Sequence, residues 1–307
     1  MSSTARTRST AGLDQGLDRE TPGRMVIGMA SAAVFILLCA TYWHAVRDMY
    51  MNWRLADSYY SHGFLVAPIS MYLVWTKRAA LGSAAFMPSA MGYPVVLASG
   101  LMLLAGDFLG FAVVQQVSLI PMILGVSLLV FGREITRIVW FPIVFLLMMV
   151  PIPSSITQNV VFDLKIVAAE AAVMLGRLLT LPMVREGSYI YFKNDSLLVG
   201  NVCGGLRSLI ALFSVGLLMA NISRTRPWAR AAVIAMSIPI AVAANVVRIF
   251  ALCLVGYFWG SDVAVGVFHD VSGLLIFAVA FGLFFALESV LRRFGSDDKL
   301  QEEAGSA

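Results

Sequence analysis

Charge is what this chain most conspicuously lacks: only 13% of its 307 residues are Asp, Glu, Lys or Arg. Its three cysteines, Cys39, Cys203 and Cys253, are too few for a disulfide framework, and two of them lie inside apolar runs. There is no CxxC, no HExxH and no glycine-rich phosphate loop, so neither a metal nor a nucleotide or other cofactor is expected. No internal repeat is evident. The run MVIGMASAAVFILLCATYWHAV is too long for a signal-peptide core and lacks a convincing cleavage site, so it reads as a membrane span.

Hydrophobic residues make up 59% of the chain, with a mean hydropathy of +0.83. Soluble domains carry about 45–50% apolar and about 25% charged residues, so the composition specifies an all-α polytopic membrane protein. Crossing a hydrocarbon layer of about 30 Å takes about 20 apolar residues. About eight transmembrane helices are predicted, at 25–45, 62–76, 91–106, 110–131, 137–152, 204–221, 230–257 and 271–291. The expected organisation is a disordered basic tail over 1–24, a transmembrane domain over 25–293 and a polar tail over 294–307. With both tails inside, fourteen of the 22 basic residues fall in inside segments, SRTRPWAR (223–230) being the clearest. This is the bias of the positive-inside rule.

Residues 154–182 are predicted as an amphipathic helix on the outer surface, with Val160, Val161, Leu164, Val167, Ala168, Ala171, Leu175 and Leu178 at helical spacing. Asp163, Lys165, Glu170 and Arg177 interrupt them. SYIYF and SLLV flank a polar KND turn, which predicts a short hairpin leading into Cys203. Pro151 and Pro153 in VPIP stop the fifth span.

Three polar residues then reach one depth. At about 1.5 Å of rise per residue, Cys203 and Arg248 each lie about 27 Å above the inner boundary, and His269 about 33 Å. A thiol, a guanidinium and an imidazole from three successive helices thus meet near the outer interface. That set suits acyl transfer. A free thiol has a pKa of about 8.5, and a helix amino terminus with neighbouring cations acidifies it. His269 suits general acid/base work, and Arg248 suits either stabilising an oxyanion or fixing a substrate carboxylate. Gly204 and Gly205 would let a substrate backbone approach the sulfur. Arg207, four residues beyond Cys203, is open to either electrostatic role. His62 in YYSHGFLVAP is a second candidate base or substrate contact, and Asn245 in ANVVRIF a further substrate contact. Cys39 and Cys253 read as small buried hydrophobes, and Gln115 and Gln116 as interhelical hydrogen-bonding residues.

With these residues identified, the chain resembles the exosortase/archaeosortase family. NVCGGLRSL resembles its cysteine motif, ANVVRIF its arginine motif and FHDVSG its histidine motif. YSHGFLVAPISMYLVW matches its amino-terminal signature, and the similarity runs from about residue 55 to 290. Gly204 departs from the commoner Ser or Ala.

The resemblance implies catalytic roles for Cys203, Arg248 and His269 in a membrane cysteine protease or transpeptidase (a thiol peptide hydrolase in class). The implied substrates are exported proteins whose carboxy terminus carries a Pro-Glu-Pro motif, a membrane helix and a basic cluster, the PEP-CTERM signal. Cleavage is expected at the outer face of a bacterial inner membrane, both termini being cytoplasmic, with membrane lipids and exopolysaccharide machinery as further partners and no nucleic acid. The contrasting reading is a non-enzymatic transporter or polysaccharide-export subunit. Such a protein should carry its polar residues near the bilayer midplane.

Overall fold

The computed structural model describes residues 29, 33–55, 58–192, 195–200, 204–223 and 225–295. The tail 1–24, most of the tail 294–307 and Cys203 itself lie outside the described residues. The chain divides at Arg47 into two compact units. In the first, residues 33–41 form helix α1, and helix α2 (Trp43–Arg54) begins there and continues into the second.

The second unit holds the remaining elements. Helices α3 (Gly63–Thr76), α4 (Arg78–Ser83), α5 (Gly92–Leu109), α6 (Ala112–Val130) and α7 (Arg133–Phe145) come first. A 3-10 turn (Leu146–Met149) leads to α8 (Ser154–Leu178) and to strands β1 (Met183–Glu186), β2 (Tyr189–Phe192) and β3 (Asp195–Leu198). Then follow α9 (Leu206–Ile222), α10 (Pro227–Trp259), α11 (Ser261–Val265) and α12 (Val267–Gly295).

Among the described residues, four helices are long and apolar enough to cross a membrane: Gly92–Leu109, Ala112–Val130, Pro227–Trp259 and, within α12, Val271–Leu291. A fifth is reached if Arg133–Met149 and Ser154–Leu178, bent by 81°, count as one broken span. Helices α3, with 14 residues, and α9, with 17, are apolar but short of the usual spanning length. This is a multi-pass helical membrane protein; eight spans were predicted, four or five full-length ones are present among the described residues, and the start of the first predicted span, 25–45, lies outside them. The bend has a local cause. Pro151 and Pro153 lack amide donors and push the residues before them out of the α region, and Val150 is accordingly extended at φ −79°, ψ 121°.

Small residues set the close helix approaches. In the α5–α6 hairpin, a Cβ on Gly92 would lie 2.5 Å from the Gly125 carbonyl oxygen, and one on Gly106 would lie 2.8 Å from the Gln115 amide nitrogen. Large side chains on the same helices, such as Leu97, Leu101, Leu104 and Phe108, are exposed. That is the arrangement of helices solvated by hydrocarbon, where burial selects small side chains and leaves large apolar ones for lipid.

The same inversion governs α8. Its buried residues are Thr157, Val161, Lys165, Ala168, Ala169, Ala172, Val173 and Gly176, whereas Val160, Val167 and Leu178 are exposed. The helix packs an alanine-rich face inward; of the residues read from spacing, Val161 and Ala168 are buried, and Val160, Val167 and Leu178 are not. Ala168, Ala169, Ala172 and Val173 share a core with Ile249, Leu252 and Cys253 of α10 and with Met183, Ile190, Phe192 and Leu197 of the strands. The strands form an antiparallel sheet of order β1-β2-β3, one strand more than the predicted hairpin. Ser261 N–H, at the start of α11, donates to Asp195 Oδ2 at 2.8 Å and pins the sheet to the end of α10. A second core joins α9, α10 and α12 through Leu212, Val233, Ala241, Ala244, Ile276 and Phe284.

Candidate active site

Helix α9 starts at Leu206, within the cysteine motif NVCGGLRSL. Gly205 caps it at φ +80°, in the left-handed region that glycine alone adopts without strain, and Leu209 N–H donates to its carbonyl at 2.8 Å. Both glycines are packed. A Cβ on Gly204 would lie 2.7 Å from Val161 Cγ1 of α8, and one on Gly205 would lie 2.7 Å from Asn245 Nδ2 of α10. The space beside them is thus taken by neighbouring helices. A small cleft remains at this junction, lined by Leu164 and Ala168 of α8, Gly204, Gly205 and Leu209, and Ala241, Val242 and Asn245 of α10.

Asn245 and Arg248 are three residues apart on α10 and so share a face. Both are buried, Arg248 at 6% exposure. Arg248 Nε donates to Ser272 Oγ on α12 at 2.8 Å, in a buried bond. Residue 269 belongs to the same helix, one turn before Ser272. The structure therefore joins the start of α9 to α10 through Gly205 and Asn245, and joins α10 to α12 through Arg248 and Ser272. The backbone segments on which Gly204, Gly205, Asn245 and Arg248 sit are neighbours, and α12 reaches them at Ser272. Sequence reading missed Ser272. Its only signal is the spacing in FHDVSG, which places a hydroxyl one helical turn beyond the histidine.

Arg207 and His62 serve a different junction. Arg207 Nε donates to the Ser58 carbonyl at 2.8 Å, holding the loop before α3 against α9. In that loop Tyr60 N–H donates to Ser58 Oγ at 3.0 Å, and burial pushes the Tyr60 phenol up to about 12. The His62 ring lies 5.9 Å from that of Tyr60, and its Nε2 is 3.2 Å from the Met148 carbonyl oxygen. Trp53 Nε1 donates to the Met149 carbonyl at 2.9 Å, and Gly63 leaves room for that indole. The YYSHGF motif is thus read by the end of α2 and the 3-10 turn. No direct bond from His62 to the α9–α10–α12 cluster is found among the described residues.

A larger cleft, of about 360 Å³, opens where α2, the α5–α6 turn and the VPIP bend meet, with Asp48, Asn52, Gln116 and Ser154 in its lining. Gln116 faces it, whereas Gln115 donates to Asp107 Oδ1 at 3.0 Å. Among the described residues, no group of three His, Cys, Asp or Glu is placed to hold a metal ion.

Fold and site together define a polytopic helical membrane protein in which a glycine-capped helix start, a buried arginine and a hydroxyl from three helices meet. The family model for transmembrane exosortases matches residues 52–286, and the chain belongs to that family. No curated protein and no solved structure matches it.

Proposed function

We propose that the protein is a membrane cysteine transpeptidase or protease. Its substrates are exported proteins bearing a carboxy-terminal Pro-Glu-Pro signal, a membrane helix and a basic cluster. Cys203 is the nucleophile: its thiolate attacks the scissile carbonyl, and a tetrahedral oxyanion forms. Arg248 stabilises that charge, while His269 takes the thiol proton and returns it to the leaving amine as the C–N bond breaks. An amine or water then attacks the thioester and releases Cys203. The active site faces the outer compartment of a bacterial inner membrane, with both termini cytoplasmic.

One observation supports this reading above the others. Arg248 is buried in an apolar helix, where a guanidinium is costly, yet it is held in a fixed orientation by a hydroxyl from the helix that carries His269. A charge kept at that cost and so oriented suits electrostatic catalysis in a site of low polarity. Neutral hydroxylamine tests the chemistry, because it intercepts a thioester. Added to membranes turning over a tagged substrate, it should release the protein as a hydroxamate when Cys203 is present. Hydroxylamine-insensitive processing would exclude the acyl-enzyme.

A further inference from the structure

The larger cleft, of about 360 Å³, has no part in the mechanism above, yet two helices start in its wall. Ala112 and Val113, the first residues of α6, line it, and so does Ser154, the first residue of α8. Phe111 and Pro153 hold the capping positions, and neither start has a side-chain capping bond. The Phe111 carbonyl accepts from the Val114 and Gln115 amides, and the Pro153 carbonyl from those of Ile156 and Thr157. The amides of Ala112, Val113 and Ser154 therefore have no bond among the described residues. First-turn N–H groups point out beyond a helix start, and each start carries about half a positive charge from its dipole. Two such ends meet in one cleft.

Side chains add further donors. Gln116, one turn into α6, is 5% exposed, lines the cleft and makes no side-chain hydrogen bond among the described residues. A buried amide left unpaired is costly, so its place in the wall suits a polar ligand. Asn52 of α2 accepts from the Ser58 hydroxyl at 3.3 Å through Oδ1, which leaves its Nδ2 to donate. Asp48, exposed, is the one charged residue of the lining among the described residues. The depth of the cleft follows from its helices. Both α5 and α6 are long and apolar enough to span, so the turn joining them lies at a membrane surface, level with lipid headgroups. Phe108, Leu109, Phe111 and Ile152 are exposed beside it, as expected of a wall that meets acyl chains.

We infer that this cleft binds the headgroup of a zwitterionic phospholipid, its phosphate at the starts of α6 and α8 and its ammonium at Asp48. Helix starts with free amides are ready-made phosphate sites, and Gln116, Asn52 and Ser154 supply side-chain donors to the same oxyanion. Asp48 opposes a ligand of pure negative charge and complements a cation attached to the phosphate. The site stands apart from the proposed peptidase chemistry and does not depend on it. A lipid held there ties α2 and α6 to the start of α8, the helix whose Val161 packs beside Gly204.

The experiment measures lipid binding to the full-length protein in detergent by native mass spectrometry. The probes are phosphatidylethanolamine, phosphatidylglycerol, diacylglycerol and inorganic phosphate. One phosphatidylethanolamine per chain should be retained under activation that strips the others, phosphatidylglycerol should bind more weakly, and diacylglycerol should not be retained. Gln116→Leu should weaken that first binding about tenfold or more, the usual effect of losing a bond to a charged group. Ala112→Pro should weaken it too, by deleting one free amide. The helix tolerates that change, because proline suits the first helical position and Phe111 before it lies outside the α region at ψ 86°. Asp48→Asn should remove the preference for the ammonium headgroup while phosphatidylglycerol still binds. Variants are compared with wild type at matched thermal stability without added lipid. Binding unchanged in all three variants, or diacylglycerol retained as well as phosphatidylethanolamine, would overturn the inference. Inorganic phosphate displacing the lipid by itself would also overturn it, by making the cleft a site for a free anion.

Discussion

The Nε of Arg248 donates to Ser272 Oγ at 2.8 Å, a buried bond that fixes the orientation of a charge between α10 and α12. Bonds to charged groups contribute about 1.5–3 kcal/mol, more than neutral ones, and this one also sets direction. Ser272→Ala should therefore lower turnover about tenfold or more while the protein accumulates normally, and Ser272→Thr, which keeps the hydroxyl, should restore most of it. Initial rates of substrate processing at saturating substrate check this. An unchanged turnover in Ser272→Ala would mean that Arg248 does not depend on this bond.

Gly204 and Val161 are a matched pair. Adding a methyl group at Gly204 forces it into Val161 Cγ1, at a cost of about 1–3 kcal/mol for overpacking. Val161→Ala removes the obstacle but leaves a void, costing about 2 kcal/mol alone. The double variant should be more stable than the sum of the single effects by about 1 kcal/mol or more, measured as a double-mutant cycle on thermal inactivation in membranes. It also gives a physical reason for a glycine at 204, since Val161 of α8 fills the space a side chain would need.

Arg207 donates to a backbone carbonyl, so its replacement should loosen a loop rather than change specificity. Arg207→Met should raise proteolysis or amide exchange in the segment 58–62, and any loss of activity should be the same for sorting signals with Glu, Gln or Lys at the centre of the Pro-Glu-Pro motif. A signal-dependent loss would return Arg207 to the role of substrate contact.

Asp195 provides a pH-dependent tether. The Ser261 backbone N–H, the Ser261 side chain and the Ser196 N–H hold its carboxyl below the ordinary carboxylate value. Because the folded-state value is lowered, the tether is fully present above the unfolded value of about 3.9 and is lost as pH falls through the folded value. Amide protection at Ser261 should therefore persist from neutral pH to about 4 and fall below it. Asp195→Asn should weaken protection at neutral pH and remove the acid transition.

The sequence carried the motifs more plainly than the packing. Arg248 stands out because a guanidinium in an apolar run is expensive whatever its partner. Ser272 does not, because serine is common in membrane helices and its partner is 24 residues away in sequence. The spacing of α8 was read as an amphipathic helix on the outer surface; Val160, Val167 and Leu178 are indeed exposed, but that spacing did not show the small residues Ala168, Ala169 and Ala172, which pack on α10. Strand β1 was illegible because MVRE offers one inward hydrophobic residue, Met183, beside two charges. The eight-span count rested on apolar length. Helices α3 and α9 lie where spans 62–76 and 204–221 were predicted but are shorter than the usual spanning length, and the VPIP bend falls where the fifth span was predicted to stop.

The account turns on Cys203, and intact-mass analysis of a tagged substrate tests it most directly. The substrate carries the Pro-Glu-Pro signal and is co-expressed with wild type or with Cys203→Ala at equal membrane abundance. The account predicts loss of the carboxy-terminal segment with wild type only, the new end group distinguishing transfer to an amine from hydrolysis. Equal processing by both proteins would contradict it and remove Cys203 as the nucleophile.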